Sequence, residues 1–421
     1  MRICQIDVRV WLGEASRREG RPVTLGSIGA GDLEQILERG FDWVWLRGVW
    51  EQDPAVREEA RRDALGLEAM RAALPDLELH DIEGSPTTGI RHEIADGLGG
   101  EDGFELLRED LARRGIRMFL DFSPRGSSPG DLERVAALAD GVALIDDIEA
   151  SALELATESG AGQRIQEFQE ALERVRSIQP RFLVLAEGHL SPLLCLLADH
   201  VLDDSLAAAL LERDVSRARE RLRAGAGLVR YLERPGGQRA RALFDGPSLL
   251  AASVLAYLSP GVALFQEGQL EGRRCQQDVR LARRRSEPLG GEIGGEAGGE
   301  LEAFHESLLE IRSRIEDLPG RFIVCPVREA WAENSSHEQL VVSLREGSAG
   351  EWILVAVNFG PLGAQGYVDV SPIEPGGRKW LLQDLLSLAM YERGGDDIAA
   401  RGLYLDLLPW DFNVFEVRPS G

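Results

Sequence analysis

The sequence predicts a (β/α)8 barrel followed by a smaller antiparallel β-sandwich. At 421 residues the chain is too long for one ordinary domain, but it accommodates a barrel of roughly 250 residues and one small domain. Short apolar, β-rich runs alternate with helical patterns over most of the chain, and short alternating strands replace them near the C-terminus. The 44% hydrophobic and 28% charged residues are typical of a globular protein.

Eight apolar runs are the predicted barrel strands: Ile3–Val10, Trp43–Leu46, Met118–Phe122, Val142–Ile145, Phe182–Ala186, His200–Leu202, Leu228–Leu232 and Ala263–Phe265. Helical periodicity lies between them, for instance in Asp32–Arg39 and Gly103–Arg114. Strands that alternate with helices are the pattern of a parallel barrel. Because such barrels place active sites at the carboxyl ends of the strands, the residues that follow each run are the candidates for function.

A glycine-rich stretch follows the eighth run, with the triplet Gly-Gly-Glu three times within 290–300. This composition predicts a loop without a packed core. After a predicted helix, Leu301–Asp317, the segment Leu318-Pro319-Gly320 is the expected domain boundary. The predicted domains are therefore a barrel over 1–318 and a sandwich over 319–421, with strands at Leu340–Leu344, Trp352–Asn358, Tyr367–Val370, Trp380–Gln383, Gly402–Leu407 and Val414–Val417.

The formal charge of −24 and a pI near 4.8 argue against nucleic acid as a partner, because such a surface repels phosphates. The basic run from Arg273 to Arg285 is expected to be a solvated face that balances nearby acids rather than an anion site. The four cysteines lack metal-ligand or disulfide spacing, so we expect no metal and no cofactor. No apolar run of about 18 residues and no leader pattern are present, which predicts a cytoplasmic protein without membrane contact.

Several motifs in a fixed order carry a resemblance to a known family. They are Ile6–Leu12, Gly40–Leu46, Gly84-Ser85-Pro86, Leu98–Glu101, Arg114–Phe122, Tyr231–Ala240 and Gly261–Arg274. Together they resemble the α-amylase family of glycoside hydrolases, glycoside hydrolase family 13. The resemblance implies a barrel with a C-terminal sandwich. The long insertion that the family usually carries between its third and fourth strands is absent, because Pro124–Gly130 passes directly into a predicted helix, Asp131–Leu138.

The chemistry of that family needs a carboxylate nucleophile and a protonated carboxylic acid, roughly 5 Å apart for a retaining mechanism. Glu187 follows a fifth-strand motif that looks like the family's and is the candidate acid. At the fourth strand, ungapped matching places Ala143 and Ile145 where the family has arginine and the nucleophilic aspartate. Asp146 is the candidate nucleophile only if the strand slips by one residue or contains a bulge.

Other positions of the family's sugar site are retained or lost one by one. The resemblance implies substrate-binding roles for Asp121, Glu233 and Arg239, and the aromatic ring of Trp50 is a candidate sugar contact. Trp43 and Trp45 are expected to face the core or the helix layer. The family's stacking tyrosine, Asn-His pair and His-Asp pair are replaced by Thr87, Arg125-Gly126 and Pro235-Gly236.

These losses favour an α-amylase-like protein that no longer hydrolyses glycosides and serves as a carbohydrate-related binding, regulatory or partner subunit. Expected partners are an α-glucan or small saccharide, and a homo- or hetero-oligomer with an active relative. The alternative is a divergent retaining α-glycoside hydrolase or transglycosylase that uses Asp146 as nucleophile and Glu187 as general acid/base.

Overall fold

The computed structural model describes residues 1–124, 127–145, 161–187, 195–225, 227–234, 236–287, 299–316, 320–347 and 351–420. None of the helices among these residues is long and apolar enough to cross a membrane. The predicted domain boundary at Leu318-Pro319 and the glycine-rich stretch 290–298 lie outside the described residues. The boundary therefore stays a prediction.

Eight parallel strands form a closed barrel, in which the first strand pairs with both the second and the eighth. Every predicted run overlaps one of them, so the predicted fold class is confirmed. The strands are Arg2–Asp7, Trp43–Arg47, Arg117–Phe122, Gly141–Leu144, Leu183–Ala186, His200–Leu202, Leu228–Arg230 and Val262–Gln266.

The first strand ends earlier than predicted. A helix begins at Val8, and the Asp7 carboxylate caps it by accepting a hydrogen bond from the Val10 amide at 3.4 Å. The apolar, β-rich run had suggested a strand as far as Val10, but an N-cap aspartate ends it. A similar shift occurs at the predicted helix Asp131–Leu138, which begins at Pro129 because Ser128 caps its first turn.

Helices surround the barrel and fill the connections between its strands. They are Val8–Glu19, Ala30–Glu38, Pro54–Ala60, Ala64–Ala73, Gly100–Arg113, Pro129–Ala136, Ala161–Ile178, Asp204–Leu211, Val215–Leu222, Ala240–Leu243, Gly246–Tyr257, Glu300–Glu316 and, in the C-terminal part, Gly395–Arg401. Short 3-10 turns cover Leu25–Ser27, Leu79–Asp81, Asp96–Leu98, Ser335–Gln339 and Ser371–Ile373.

Side chains alternate between two cores, because successive residues of a strand point to opposite faces. The inner core fills the barrel itself and is built from residues such as Ile3, Trp43, Trp45, Phe119 and Ala143, Ile145, Leu185, Val229, Leu264. Trp43 stacks on Phe119 with ring centroids 4.3 Å apart, so the two tryptophans face the core. The outer core packs the other strand face against the helices.

In the connection between the third and fourth strands, 123–140, the described residues form one short helix, as expected from the missing insertion. The longest excursion lies instead between the second and third strands, over 48–116. It contains a two-stranded antiparallel sheet, Trp50–Gln52 with Ile90–Ile94, and between these strands the helices Pro54–Ala60 and Ala64–Ala73. This excursion supplies one wall of the barrel mouth.

The C-terminal part consists of antiparallel sheets, in agreement with the prediction. Its six-stranded sheet has the order Phe322–Val324, Leu340–Glu346, Trp352–Asn358, Phe412–Pro419, Lys379–Asp384 and Met390–Gly394, and its three-stranded sheet has the order Val327–Glu329, Ala364–Val368 and Leu403–Leu407. The sequence missed three of these strands, Phe322–Val324, Val327–Glu329 and Met390–Gly394. All three are short, and Met390–Gly394 is an exposed edge strand without alternation.

The two parts of the chain pack directly against each other. The guanidinium of Arg219, in a barrel helix, donates to the Leu340 carbonyl oxygen at 2.6 Å. The outer core of the barrel continues into Val341, Ile353 and Val355 of the six-stranded sheet. A continuous apolar core therefore joins the barrel to the C-terminal sheets.

Candidate functional site at the barrel mouth

The inner strand positions above the apolar layer of the barrel are polar. Arg47, Asp121, Glu187 and Gln266 each follow an inner-core residue by two positions, so the strand pleat points them into the barrel at its carboxyl end. Asp7, at the end of the first strand, lines the same cavity as Arg47 and Gln266. This is the end at which barrels of this kind carry their sites. The question is which of these groups remain open to a ligand.

Asp121 is completely buried and bonded to the protein. Its carboxylate accepts hydrogen bonds from the Trp45 indole nitrogen at 2.7 Å and from the Gly48 amide at 3.1 Å, and the Arg47 Nε lies 3.8 Å away. Burial raises the pKa of Asp121, while the Arg47 charge and the two donors oppose that rise. A carboxylate held in this way supports the fold around the second and third strands.

The expectation that Trp50 contacts a sugar needs correction. Only 1% of Trp50 is exposed, its indole nitrogen donates to the Asp121 carbonyl oxygen at 2.8 Å, and its ring packs against His92 at a centroid distance of 5.2 Å. The indole N–H finds its partner inside the protein. Trp50 therefore offers no ring face to a ligand.

Glu233 and Arg239 form a buried ion pair with each other. The Glu233 carboxylate lies 2.7 Å from the Arg239 guanidinium and accepts from the Ala240 amide at 2.8 Å, and both side chains are 1% exposed. Arg239 also donates to the Glu267 carbonyl oxygen at 2.7 Å. Burial raises the pKa of Glu233 to about 7, against the opposing effects of Arg239 and the Ala240 amide. Both predicted substrate-binding residues are thus occupied by the protein.

The fourth strand pairs in regular register with both neighbours through Leu144, which lies opposite Phe122 and Ala186. The Ile145 amide continues this ladder with a bond of 3.0 Å to the Phe122 carbonyl oxygen. Ala143 and Ile145 both belong to the inner core. An isoleucine therefore occupies the inward position that matches the family's nucleophile, with no slip up to that residue. Asp146 itself lies outside the described residues.

Glu187 stays at the barrel mouth. It follows the inner-core residue Leu185 by two positions and is half-buried, with its amide 3.4 Å from the Leu144 carbonyl oxygen. Of the predicted catalytic pair, it is the member that the structure places.

Two of the substituted positions are described. Thr87 shares a hydrogen bond with Ser85 at 2.9 Å between their hydroxyl oxygens. Gly236 has φ of 72°, and its carbonyl oxygen accepts from the Gln276 side chain at 2.6 Å. Arg125, Gly126 and Pro235 lie outside the described residues. Gln276 thus approaches the place where the family has its His-Asp pair.

Gln276 belongs to the arginine-rich segment 273–287, here called the mouth segment. Arg283 pairs with Asp76 and Asp81 at 2.8 Å each, and Arg284 pairs with Glu14 and, at 2.8 Å, with Glu267. The expected balance between this basic run and nearby acids is present. The expected solvation holds for part of the run, because Arg274 and Arg285 are exposed whereas Arg284 is only 7% exposed.

Hydrogen bonds that are not ion pairs also hold the mouth segment across the barrel end. Gln277 donates to the Asp7 carboxylate at 3.0 Å, and the Arg280 carbonyl oxygen accepts from the Glu83 amide at 2.8 Å. Leu281 forms a β-bridge with Ile82. These bonds connect the ends of the first, seventh and eighth strands to the excursion 48–116. The segment therefore covers this side of the mouth.

A small polar cavity remains beneath the mouth segment, lined by Gln5, Asp7, Arg47, Gln266, Glu267, Gln277 and Val279. Its volume is about 10 Å³, which is room for about one water. A pyranose ring does not fit there. Burial, reinforced by Glu267 and opposed by Arg47, raises the pKa of Asp7 to about 6.

The raised pKa of Asp7 predicts how stability depends on pH. The folded state holds this proton up to about pH 6, whereas the unfolded chain releases it near 3.8. Stability from this group is therefore present below pH 3.8 and lost as the pH rises to 6, by at most about 1.4 kcal/mol per pH unit. Asp7→Asn, which keeps a capping oxygen, should remove that slope in urea unfolding at pH 4, 5, 6 and 7.

Asp53→Asn is the control, because Asp53 is an exposed N-cap that accepts from the Ala55 amide at 2.9 Å. Its unfolding curves should change with pH as those of the unmodified protein do. If Asp7→Asn also follows the unmodified protein over this range, Asp7 does not carry the proton.

Sequence reasoning missed Arg47, Asp7 and the mouth segment as parts of this site. Arg47 could have been found, because it follows Trp43 and Trp45 at period two and thus continues the inward face of the second strand. The contacts of the mouth segment carry no such signal, since their acidic partners are remote in sequence.

Comparison with known proteins places the architecture. No family model and no curated protein matches the sequence. Similar solved structures include a noncanonic maltogenic α-amylase from Thermotoga neapolitana, with 15% identity, a TM-score of 0.69, and 99% of this chain and 98% of that chain covered. An α-amylase from Lactobacillus plantarum gives 15% identity, a TM-score of 0.66 and 98% coverage of each chain.

The α-amylase of Geobacillus thermoleovorans, solved in complex with acarbose, gives 14% identity, a TM-score of 0.65, and coverage of 100% of this chain and 98% of that chain. The matches span both the barrel and the C-terminal sheets. At this identity they establish the architecture, which agrees with the order of motifs in the sequence. The chain has the fold of the α-amylases.

Proposed function

We propose that this protein is an α-amylase-fold subunit that does not hydrolyse α-glycosides and acts in carbohydrate-related binding, regulation or partnership. The observation that carries the proposal is Ile145, fully buried at the inward position of the fourth strand. A retaining mechanism needs a carboxylate there, facing the acid. An alkyl side chain at that position supplies neither a nucleophile nor a base for water.

The retained carboxylates support the same conclusion. Asp121 and Glu233 are bonded to Trp45, Gly48, Arg239 and Ala240 inside the protein, so contact with a sugar would require these bonds to break. Groups that stabilise a developing charge must be preorganised toward the substrate. In this protein Asp121 and Glu233 are oriented toward other groups of the protein and not toward a ligand.

A carbohydrate ligand is proposed from the chemistry of the similar structures, some of which were solved with acarbose or maltose. For this chain the ligand class is an α-glucan or a small saccharide. Glu187, half-buried at the mouth, is the described carboxylate best placed to contact it. Under this proposal Glu187 binds a hydroxyl group and does not protonate a leaving group, because an acid without an opposed nucleophile or base completes no hydrolysis.

The proposal predicts no turnover that depends on Glu187. The purified chain, Glu187→Gln and the control Glu58→Gln, which changes an exposed carboxylate (51% of the side chain), are incubated with maltooligosaccharides, sucrose, trehalose and aryl α-glucosides. All three should release product at the same background rate. Hydrolysis that Glu187→Gln abolishes and Glu58→Gln preserves would establish the alternative, a retaining enzyme with Asp146 and Glu187.

Binding and partnership are tested separately. Calorimetric titration with maltoheptaose should show binding that Glu187→Gln weakens by roughly 10- to 150-fold, because one charge-assisted hydrogen bond is worth roughly 1.5–3 kcal/mol. Size-exclusion chromatography with light scattering measures whether the chain associates with itself or with an active α-amylase. Absence of both saccharide binding and association would contradict the proposal.

A further inference from the structure

A second cavity lies at the opposite end of the barrel from the mouth. This basal groove has a volume of about 490 Å³ and lies between the C-terminal end of the helix Gly100–Arg113 and the connections 137–140 and 179–182, where the third, fourth and fifth strands begin. Its volume falls within the range of small-molecule sites, about 300–1,000 Å³. The amino end of such a barrel normally serves stability, so a groove of this size needs an explanation of its own.

The floor of the basal groove is apolar. It is formed by the outward atoms of Leu111, Ile116, Met118 and Phe182, each 2–3% exposed. Such a floor favours the hydrocarbon part of a ligand, since removing apolar surface from water is favourable. A purely polar ligand would gain nothing from it.

The rim of the groove is basic, although the protein carries a net charge of −24. Arg108, Arg117 and Arg181 line it. Arg108 pairs with Glu105 at 2.6 Å, whereas Arg117 lies over the Trp43 ring at 5.5 Å. Neither Arg117 nor Arg181 has an ion-pair partner among the described residues. In the mouth segment, by contrast, Arg283 and Arg284 are both paired.

One acid in the lining offsets part of this positive charge. Asp140 also faces the groove, and its carboxylate accepts a hydrogen bond from the Met118 amide at 3.0 Å. Arg117 lies opposite Trp43 in the strand register, and its guanidinium covers that ring on the inner face of the barrel. Arg181 therefore remains for an anion, and its planar donors match a carboxylate or a phosphate. An apolar floor below a cationic rim is complementary to a molecule with a hydrocarbon body and an anionic head.

We propose that the basal groove binds a small amphipathic anion, with its head at Arg181 and its chain along the floor. The site is independent of the barrel mouth and of the function proposed for it. The competing explanation is that the arginines only offset the negative C-terminal ends of the helices that finish at this face.

The test is calorimetric titration of the full chain with decanoate, with decyl phosphate, and with decyltrimethylammonium, which has the same tail and the opposite charge. We expect one decanoate or decyl phosphate per chain and at least tenfold weaker binding of the cation. Arg181→Glu should weaken decanoate at least tenfold. Ala112→Phe, which places a ring into the groove from an exposed lining position, should do the same without a change of charge.

Arg71→Glu is the matched control, because Arg71 is exposed and lies in the helix Ala64–Ala73 of the excursion between the second and third strands. It should leave decanoate binding within twofold of the unmodified protein. Thermal unfolding of each variant checks that the fold is retained. The proposal is overturned if decanoate does not bind, if the cation binds equally well, or if Arg71→Glu weakens binding as much as Arg181→Glu does.

Discussion

Arg239→Ala is expected to lower the free energy of unfolding by roughly 3–5 kcal/mol, the usual cost of breaking a buried ion pair from one side. The substitution leaves the Glu233 carboxylate in a site where each partner was 1% exposed. It also removes the donor that reaches the Glu267 carbonyl oxygen. Urea unfolding at pH 7.5 measures the loss.

Arg234→Ala provides a control five residues away. Arg234 pairs with Asp204 at 3.5 Å, and these side chains are 45% and 53% exposed, so its removal should cost less than about 1 kcal/mol. The deficit of Arg239→Ala should shrink toward pH 5, because the pKa of Glu233 is raised and its protonated form tolerates burial. Equal losses in the two variants would show that the buried pair does not support the fold.

Asp121→Ala is expected to cost on the order of 4 kcal/mol, from orphaned donors at about 1–3 kcal/mol each. The Trp45 indole nitrogen and the Gly48 amide lose their acceptor, and Arg47 loses the nearest charge. Thermal and urea unfolding measure the effect. Asp121→Asn should lose about half as much free energy of unfolding as Asp121→Ala, because one side-chain oxygen remains as an acceptor.

Asp102→Ala is the control, since Asp102 is an exposed acid in the first turn of a helix and its loss should cost about 0.3–1 kcal/mol. The comparison separates two roles for Asp121. A residue that only bound sugar would change saccharide affinity and leave unfolding alone. A small change in stability together with a large change in saccharide affinity would show that Asp121 contacts the ligand.

The sequence was sufficient for the barrel because each strand is a local apolar run and the eight runs occur in one order. It was less reliable at the ends of elements, where a single cap decides. Asp7 ends the first strand because its carboxylate caps the next helix, whereas the apolar run Ile3–Val10 indicated a longer strand. The edge strand Met390–Gly394 could not be predicted from an apolar pattern, because it has no buried face.

The candidate site was predictable by position and not by environment. Motif matching pointed to Asp121 and Glu233, which lie in the third strand and just after the seventh, and to Ile145, which lies in the inner core. Motif matching could not show that Trp45 and Arg239 bind these carboxylates inside the protein, because those contacts depend on side-chain packing. Trp50 was misjudged for the same reason, since its indole nitrogen bonds to a backbone oxygen that sequence does not reveal.

The mouth segment has a consequence for how the chain folds. Its bonds from Gln277 to Asp7 and from Arg284 to Glu14 each span 270 positions of sequence, and the bond from Arg283 to Asp81 spans 202. Contacts of such high order form slowly, because the entropy of closing a long loop is lost before the contact is made. The first strand can pair with the eighth only after the eighth has been synthesised. The mouth segment then links the beginning of the barrel to its end.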